Sequence, residues 1–545
     1  MPDKQRTKNP IIFTVSNHSL MLRKLILLII LVAVLHPYSH AQGYWVFFTD
    51  KKDCTFNPYE YFDAKAIERR VIHGLSLYDS TDFPLNAQYV QTVAAIADST
   101  GFESRWFNAL EVTASTEQLS QIKALPFVSG IEAMQCSAMP ASYTHDDPEF
   151  DSILSPFLKQ LLEWQTLRLG GDAFKAAGLN GKGVRIAVFD GGYPSLLTNS
   201  AFRHLVWSNR IIKTWDFIRN KENVYGYNPH GTLVLSCLTG VYDEQALGLA
   251  SGAEYLLART ELKGEPYREE KNWLAAMEWA DKNGAQIINS SVGYTYHRYF
   301  KDEMDGQTSM VSRAANMAAR KGMLVVNAAG NEAGDEWQML CTPADADSVL
   351  TVGGIDPVTG YHMEFSSYGP TSDKRMKPNV CAFADVVAFG PKGVENVQGT
   401  SFSCPLVAGF AACVLQAFPN TKCMDLLHMI EKSGDLYPYF DYAHGFGVPQ
   451  ASRILDTLTE PSPTLAFVKG ENNLTVIIRD FKYHTDEPSR QLLLYYNIMD
   501  EQGVIEEFNV IMVYQSRALV IPLNKYPSGK RLNIFFRGYT STYTF

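Results

Sequence analysis

The sequence predicts an α/β domain, a parallel sheet flanked by helices, with a small α+β module before it and a small all-β domain after it. Three observations carry this reading. From about residue 150 to 460, buried strand-like runs alternate with helical runs, the pattern of an open α/β sheet. Between about residues 42 and 143, three strand-like runs accompany one capped helical run. From Leu474 onward, short strand-like runs are separated by turn signals such as Gln502-Gly503 and Pro527-Ser528-Gly529, which predicts a small sandwich. At 545 residues the chain exceeds one ordinary domain. With 46% hydrophobic and 19% charged residues it has ample core and is not a disordered chain.

The chain opens with a polar prefix. Met21-Leu22-Arg23-Lys24 then leads into an apolar run from Leu25 to Leu35, closed by Ser39-His40-Ala41-Gln42. A basic segment, an apolar segment and a small-residue break make a secretory signal peptide. Met21 is a plausible start of translation. The apolar run is too short to span a bilayer comfortably, and no other stretch resembles a membrane span. The expected boundaries are residues 1–41 for the leader, 42–145 for the α+β module, 146–460 for the α/β domain and 461–545 for the β domain.

In the α+β module, Tyr44–Phe48, Ser104–Val112 and Val128–Ala133 read as strands, and Ser115–Leu125 as a helix with a capping serine. Pro140 to Pro148 reads as an exposed linker open to proteolysis. In the α/β domain, Val184–Phe189 is a buried strand ending at Asp190-Gly191-Gly192. A helix from Trp273 to Lys282 stops at Asn283-Gly284, where Gly is a C-terminal signal, and the strand Gln286–Asn289 follows. A small-residue helix from Ser309 to Lys321 stops at Gly322 before the strand Met323–Asn327. In such sheets, functional groups sit beyond the C-terminal strand ends. Asp190, Ser291 and Asn331 all fall there. Glu460–Thr464 reads as a second linker.

Net charge is −10 and no Lys/Arg-rich run stands out, which argues against nucleic acid as a partner. The eight Cys include no Cys-x-x-Cys pair, which argues against zinc. Disulfides are compatible with secretion, but their pairing is not legible, and a buried free thiol is the ordinary fate of a Cys.

The stretch Gly399-Thr400-Ser401-Phe402-Ser403-Cys404-Pro405 places Ser401 ahead of an apolar small-residue run that reads as a buried helix. A helix N-terminus favours developing negative charge. A simple N-cap is the alternative reading. As a nucleophile, Ser401 needs a base and an orienting carboxylate. His230, leading His-Gly-Thr-Leu-Val-Leu-Ser-Cys, is a candidate base, and Asp190 a candidate carboxylate. Asn331, in Ala328-Ala329-Gly330-Asn331-Glu332, is a candidate oxyanion donor. Each has a structural alternative: a turn Asp, a core His, a turn Asn. The order Asp…His…Ser is that of subtilisin, and no Gly-x-Ser-x-Gly elbow of the α/β-hydrolases is present.

On these motifs the region of about 160–455 resembles the subtilisin-like serine proteases. Val188-Phe189-Asp190-Gly191-Gly192 is similar to the family's Asp motif, with Gly191 where Ser or Thr is common. His230-Gly231-Thr232 is similar to the His motif, with Leu233 where a second His is usual. Gly399–Pro405 is similar to the Ser motif, with Ser403 in place of Ala, and Ala329-Gly330-Asn331 to the Asn motif. Phe365–Pro370 and Lys377–Val380 add agreement. The resemblance implies a serine endopeptidase of protein or peptide substrates, with Asp190, His230 and Ser401 as triad and Asn331 at the oxyanion. It also implies that Ser291, Val292, Gly293 and Gly330 line the substrate, with Glu332 at the edge of the S1 pocket. Phe107–Val112 with the following helix and strand resembles the family's propeptide inhibitor. That implies a zymogen cut near residues 140–150, with its own propeptide as a partner. The C-terminal strands loosely resemble Bacteroidetes-type sorting domains; an accessory domain is the alternative. Secretion or the cell surface is the expected location. No cofactor is expected. Structural calcium occurs in many relatives, yet no Asp-x-Asp-x-Asp-Gly loop is present and no ligands are assignable. The departures at Gly191, Leu233 and Ser403 leave one rival, a catalytically inactive scaffold acting as a surface binding protein.

Overall fold

The computed structural model describes residues 43–134, 155–262, 268–295, 298–455, 462–479, 492–513 and 518–545. The leader, the Pro140–Pro148 linker, Cys136 and the first two residues of the Glu460–Thr464 linker lie outside them.

In the N-terminal module β1 is Gly43–Phe48, followed by helices α1 (Pro58–Tyr61), α2 (Ala64–His73) and α3 (Ala87–Ala94). Then come β2 (Ser99–Ser104), β3 (Ala109–Thr113), α4 (Thr116–Lys123) and β4 (Val128–Ala133). They form an antiparallel sheet of order β2-β3-β1-β4. The expected single strand Ser104–Val112 is instead the end of β2, a turn and β3. Asn108 adopts φ 50 and its N–H bonds the Arg105 carbonyl, so the chain reverses there. The α4 expectation holds: Ser115 and Gln118 form a reciprocal capping box.

The central domain begins with α5 (Pro156–Leu167) and α6 (Gly171–Ala176). Next are β5 (Arg185–Asp190), α7 (Arg203–Trp207), β6 (Ile211–Asp216) and α8 (His230–Thr239). A small hairpin, β7 (Val241–Tyr242) and β8 (Gln245–Ala246), precedes β9 (Glu254–Arg259). The domain continues through α9 (Arg268–Lys282), β10 (Ile287–Ser290), α10 (Met310–Arg320), β11 (Leu324–Ala328), β12 (Val349–Ile355) and β13 (Val380–Phe383). The hairpin β14 (Asp385–Gly390) and β15 (Gly393–Gln398) leads into α11 (Thr400–Ala417), α12 (Cys423–Ser433) and α13 (Ala451–Leu455).

Seven parallel strands run in the order β13-β12-β11-β10-β5-β9-β6. Their hydrophobic runs are continuous because helices cover both faces. One face packs α8 and α11 around Val188, Leu235, Val326 and Phe410. The other packs α9 and α10 through Trp273, Met277 and Ala315, and Trp45 and Trp106 of the N-terminal module join that same core. Helix α11 is long and apolar enough to cross a membrane, but it lies buried at the centre of the domain.

The C-terminal domain holds β16 (Leu465–Lys469), β17 (Asn473–Ile478), β18 (Leu493–Met499), β19 (Ile505–Met512), β20 (Ala518–Pro522), β21 (Arg531–Phe536) and β22 (Tyr539–Thr544). Sheets β16-β17-β20 and β19-β18-β21-β22 are antiparallel. They close on one core that includes Leu474, Val476, Leu494 and Ile534, which makes a sandwich. β16 begins before Leu474, where the strand-like runs were expected to start.

Candidate active site

Asp190 is the last residue of β5, next to the middle of the sheet, and fully buried. One carboxylate oxygen accepts the Gly191 N–H at 2.7 Å. His230 opens α8, where Asn228 accepts its backbone N–H at 3.0 Å. The ring Nδ1 stands 3.0 Å from both Asp190 oxygens. A carboxylate that accepts from Nδ1 leaves Nε2 as the basic nitrogen. Burial pushes the imidazole pKa down, but the adjacent Asp190 charge pushes it up further, and the net shift is upward.

Two glycines make this approach fit. A Cβ on Gly231 would lie 2.4 Å from the Gly192 carbonyl and 2.9 Å from the Asp190 Cβ. A Cβ on Gly191 would lie 2.8 Å from the Asn228 Cβ, so Gly191 replaces the commoner Ser or Thr for packing reasons. Behind the loop, Arg259 donates to the Gly191 carbonyl at 3.0 Å, pairs with Asp216 at 3.0 Å and lies under the Tyr227 ring.

Ser401 sits in the first turn of α11, just after Gly399, whose φ of 145 suits only glycine. Its backbone N–H is among those a helix start leaves without a helical acceptor. Pro405 has no N–H to return to the Ser401 carbonyl. The Ser291 hydroxyl takes that place, donating to the Ser401 carbonyl at 2.9 Å. In return the Ser401 Oγ donates to the Ser291 carbonyl, at a long 3.3 Å. The Phe402 ring lies 5.5 Å from the His230 ring, which brings the start of α11 against the Asp190–His230 pair.

Asn331 follows β11. Its side-chain oxygen accepts from the Thr400 N–H and the Thr400 hydroxyl, each at 2.9 Å. The amide is therefore held in one orientation, with Nδ2 on the exposed side as donor. Gly330 takes φ 115, and a Cβ there would lie 2.5 Å from a Glu332 oxygen. Glu332 itself accepts the Asn331 N–H at 2.6 Å and the Ser367 hydroxyl at 3.0 Å. Ser291 and Val292 are buried. A Cβ on Gly293 would lie 2.0 Å from the Cys341 sulfur, so only glycine fits.

The structure thus brings Asp190 and His230 into direct contact, Ser401 onto Ser291, and Asn331 onto the residue before Ser401. Sequence reasoning missed Ser291 as the partner of the Ser401 carbonyl; Pro405, four residues on, was the available signal. It missed Arg259 and Glu261, whose motifs carry no local signal. Leu233 is buried core, and Ser403 donates to the Phe383 carbonyl at 3.1 Å, so both departures are structural. Cys404 is free and fully buried, its thiol 3.3 Å from the Val326 carbonyl, and burial pushes its pKa far up.

Among the described residues, Asp190, His230 and Glu261 offer ligand atoms within 4.8 Å of one another. Calcium takes roughly six to eight oxygens. Two carboxylates and an imidazole already turned to Asp190 do not match that, so this cluster is not a calcium site.

Residues 181–447 match the Subtilase family model, Peptidase S8, and residues 43–147 match the Peptidase S8 propeptide domain of Bacteroidota. Subtilisin DY of Bacillus licheniformis is 26% identical over 274 residues, spanning 49% of this chain and 91% of the relative. An alkaline protease of Alkalihalobacillus alcalophilus is 27% identical over 316 residues, 56% of this chain and 73% of the relative. The crystal structure of MycP1 from Mycobacterium smegmatis aligns with a TM-score of 0.44 at 20% identity, covering 65% of this chain and 92% of that one. Residues 181–447 are therefore a subtilase domain, and the chain is a subtilisin-like serine protease that carries a propeptide of the Bacteroidota type.

Proposed function

We propose that this protein is a secreted serine endopeptidase, made as a zymogen, in which Ser401, His230 and Asp190 form the triad. The observation that carries the reading is the Asp190–His230 pair, with Nδ1 3.0 Å from both carboxylate oxygens, packed against the helix whose first turn holds Ser401. The weak Ser401 bond to the Ser291 carbonyl is exchanged for one to His230 Nε2 by rotation about χ1. Ser401 Oγ then attacks the peptide carbonyl, and His230 takes its proton and returns it to the leaving amine. Asp190 holds the ring and stabilises the imidazolium. Asn331 Nδ2 and the Ser401 N–H stabilise the oxyanion. Substrate backbone adds as a strand along Ser291–Gly293, with Gly330 on the other wall.

The propeptide is an intramolecular inhibitor. The chain is cut near residues 140–150, within domain boundaries of about 42–145, 146–460 and 461–545. The leader pattern in residues 1–41 directs export. A fluorophosphonate probe tests the chemistry: processed protein is labelled at Ser401, and Ser401→Ala accumulates uncut precursor. Unlabelled Ser401 in processed protein would leave an inactive binding scaffold instead. Normal processing of Ser401→Ala would assign maturation to another protease.

A further inference from the structure

The loop after Asp190 has few means of holding itself in place. Gly191 and Gly192 bring no side chains, and Gly192 adopts φ 143. Yet the Asp190 oxygens must stay on His230 Nδ1. The segment before His230 carries a strain of its own. Tyr227 adopts φ 74, a left-handed conformation that bulky residues rarely take and that persists only where the surroundings impose it. The two segments meet at Gly192 and Tyr227, which form a β-bridge, and a Cβ on Gly192 would lie 2.1 Å from the Gly226 carbonyl.

Arg259 supports both segments. It is the last residue of β9, and the register places it beside Asp190 of β5 and beside Asp216 of β6. Partners in a parallel sheet send their side chains to the same face, with strands about 4.8 Å apart. One guanidinium therefore stands in a row with two fully buried carboxylates.

The charge of Arg259 goes to Asp216. Its Nη1 reaches the two Asp216 oxygens at 3.2 and 3.0 Å. Asp216 is itself fixed, because it accepts the Ile218 and Arg219 backbone N–H groups at 3.0 and 3.1 Å. The Asp190 carboxylate is thereby left to the Gly191 N–H and to His230.

The other contacts of Arg259 go to the two segments. Its Nε donates to the Gly191 carbonyl at 3.0 Å. With the Gly191 N–H on Asp190, both polar groups of that glycine are held. The guanidinium carbon lies 3.6 Å from the centre of the Tyr227 ring. Arg219 also lies over this ring, at 4.6 Å, and donates to the Tyr227 hydroxyl at 3.1 Å. A cation over an aromatic face is held more strongly when it is desolvated, and Arg259 is 6% exposed. The strained Tyr227 is therefore fastened to the same side chain that fastens Gly191.

We propose that Arg259 is the positioning residue of the Asp190–His230 pair. Through one planar fork it ties the loop after Asp190 to the segment before His230, and so sets the contact between carboxylate and imidazole. Its effect on peptide hydrolysis rests on the protease reading above; its effect on the pair does not. Lysine does not replace it. An ammonium is a point charge that neutralises Asp216, but it cannot also donate to the Gly191 carbonyl and lie flat on Tyr227.

The test compares Arg259→Lys, Tyr227→Leu and Tyr227→Phe in the full chain. Arg259→Lys keeps a cation for Asp216, Tyr227→Leu removes the ring face, and Tyr227→Phe keeps it. Tyr227 is 36% exposed, so Tyr227→Leu carries the test should Arg259→Lys fail to fold. On a peptide substrate, kcat is expected to fall roughly tenfold to a hundredfold in Arg259→Lys and in Tyr227→Leu, the scale of a misplaced reacting group, with KM little changed. The double variant is expected to fall no further than the worse single one, because both break one clamp. Tyr227→Phe is expected to stay close to the parent. The second readout needs no activity: titration of the His230 ring by NMR, in the same variants carrying Ser401→Ala. The carboxylates nearest the ring are Asp190 and Glu261. Against the downward push of burial, the Asp190 charge raises His230 above its ordinary 6.5. A loosened contact raises it less, so the ring is expected to titrate at lower pH in Arg259→Lys and Tyr227→Leu than in the parent. A general loss of stability would lower the melting temperature without moving that titration. An unchanged His230 titration in both variants would overturn the positioning role, whatever their activity. Losses that multiply in the double variant would overturn the shared clamp. A parent that cleaves no peptide, with His230 still shifted in the variants, would overturn the protease reading and leave the clamp standing.

Discussion

Asn331 is held by its oxygen, which accepts twice from Thr400, so the amide keeps one orientation with Nδ2 as its donor. In the proposed mechanism Asn331→Ala removes one donor from the developing oxyanion, and it also removes the acceptor of the Thr400 N–H and hydroxyl. We expect kcat to fall by about 10²–10³, a magnitude measured in subtilisin itself, with KM little changed. Steady-state kinetics on a peptide substrate checks this; a drop confined to KM would place Asn331 in ground-state binding. The four candidate catalytic residues were legible because each lies in a short motif at a strand or helix end. Ser291 as the Ser401 partner was not, because that bond joins residues 110 positions apart. Glu261 was hidden for the same reason: only folding brings it within 4.8 Å of Asp190 and His230.

Helix α8 and strand β5 carry His230 and Asp190, and of the two glycines that let them approach, Gly231 is the one whose Cβ would meet Asp190. Gly231→Ala places a methyl 2.4 Å from the Gly192 carbonyl, a contact that backbone must relieve by moving. We expect a loss of stability of about 1–3 kcal/mol, the usual range for overpacking, and a fall in kcat/KM as His230 is pushed off Asp190. A thermal melt with kinetics on the same sample checks both, and full activity would show that α8 tolerates the shift. At this scale the parallel strands were legible from continuous apolar runs ended by glycine. Helices α1 to α3 of the propeptide were not read, although Asn57, Asp63 and Asn86 are N-caps whose side chains accept helix N–H groups. The runs behind them are short and polar outside a few buried positions, because α2 buries arginines rather than aliphatics. A hydrophobic periodicity cannot report a helix that docks through charge.

The C-terminal sandwich does not hang from the protease domain by a linker alone. Leu436 and Tyr439 of the protease domain share a buried cluster with Leu493, Tyr495 and Phe535 of the sandwich. Phe440 and Tyr442 do the same with Ile505. Polar bonds cross the same seam: Asn497 donates to the Phe440 carbonyl at 2.7 Å, and the Ile505 N–H to the Tyr442 hydroxyl at 3.3 Å. The loop that bears these side chains is itself tied into the protease domain, where the Gly369 N–H bonds the Tyr442 carbonyl and the Phe446 N–H bonds the Asn379 carbonyl. Ending the chain after Leu455 would therefore uncover Leu436, Tyr439, Phe440 and Tyr442 at once. Each buried large apolar side chain is worth about 1.5–3 kcal/mol of transfer, and part of that is recovered as the loop relaxes. A tethered sorting tag and an integrated domain now make opposite forecasts. Removing a tag leaves the melting temperature of the protease domain where it was. Removing a domain that completes two clusters lowers it by several degrees and raises binding of a hydrophobic dye. We expect the second result, read by calorimetry on the chain ending at Leu455 beside the full chain. An unchanged melting temperature would mean that the protease domain closes over these four side chains unaided.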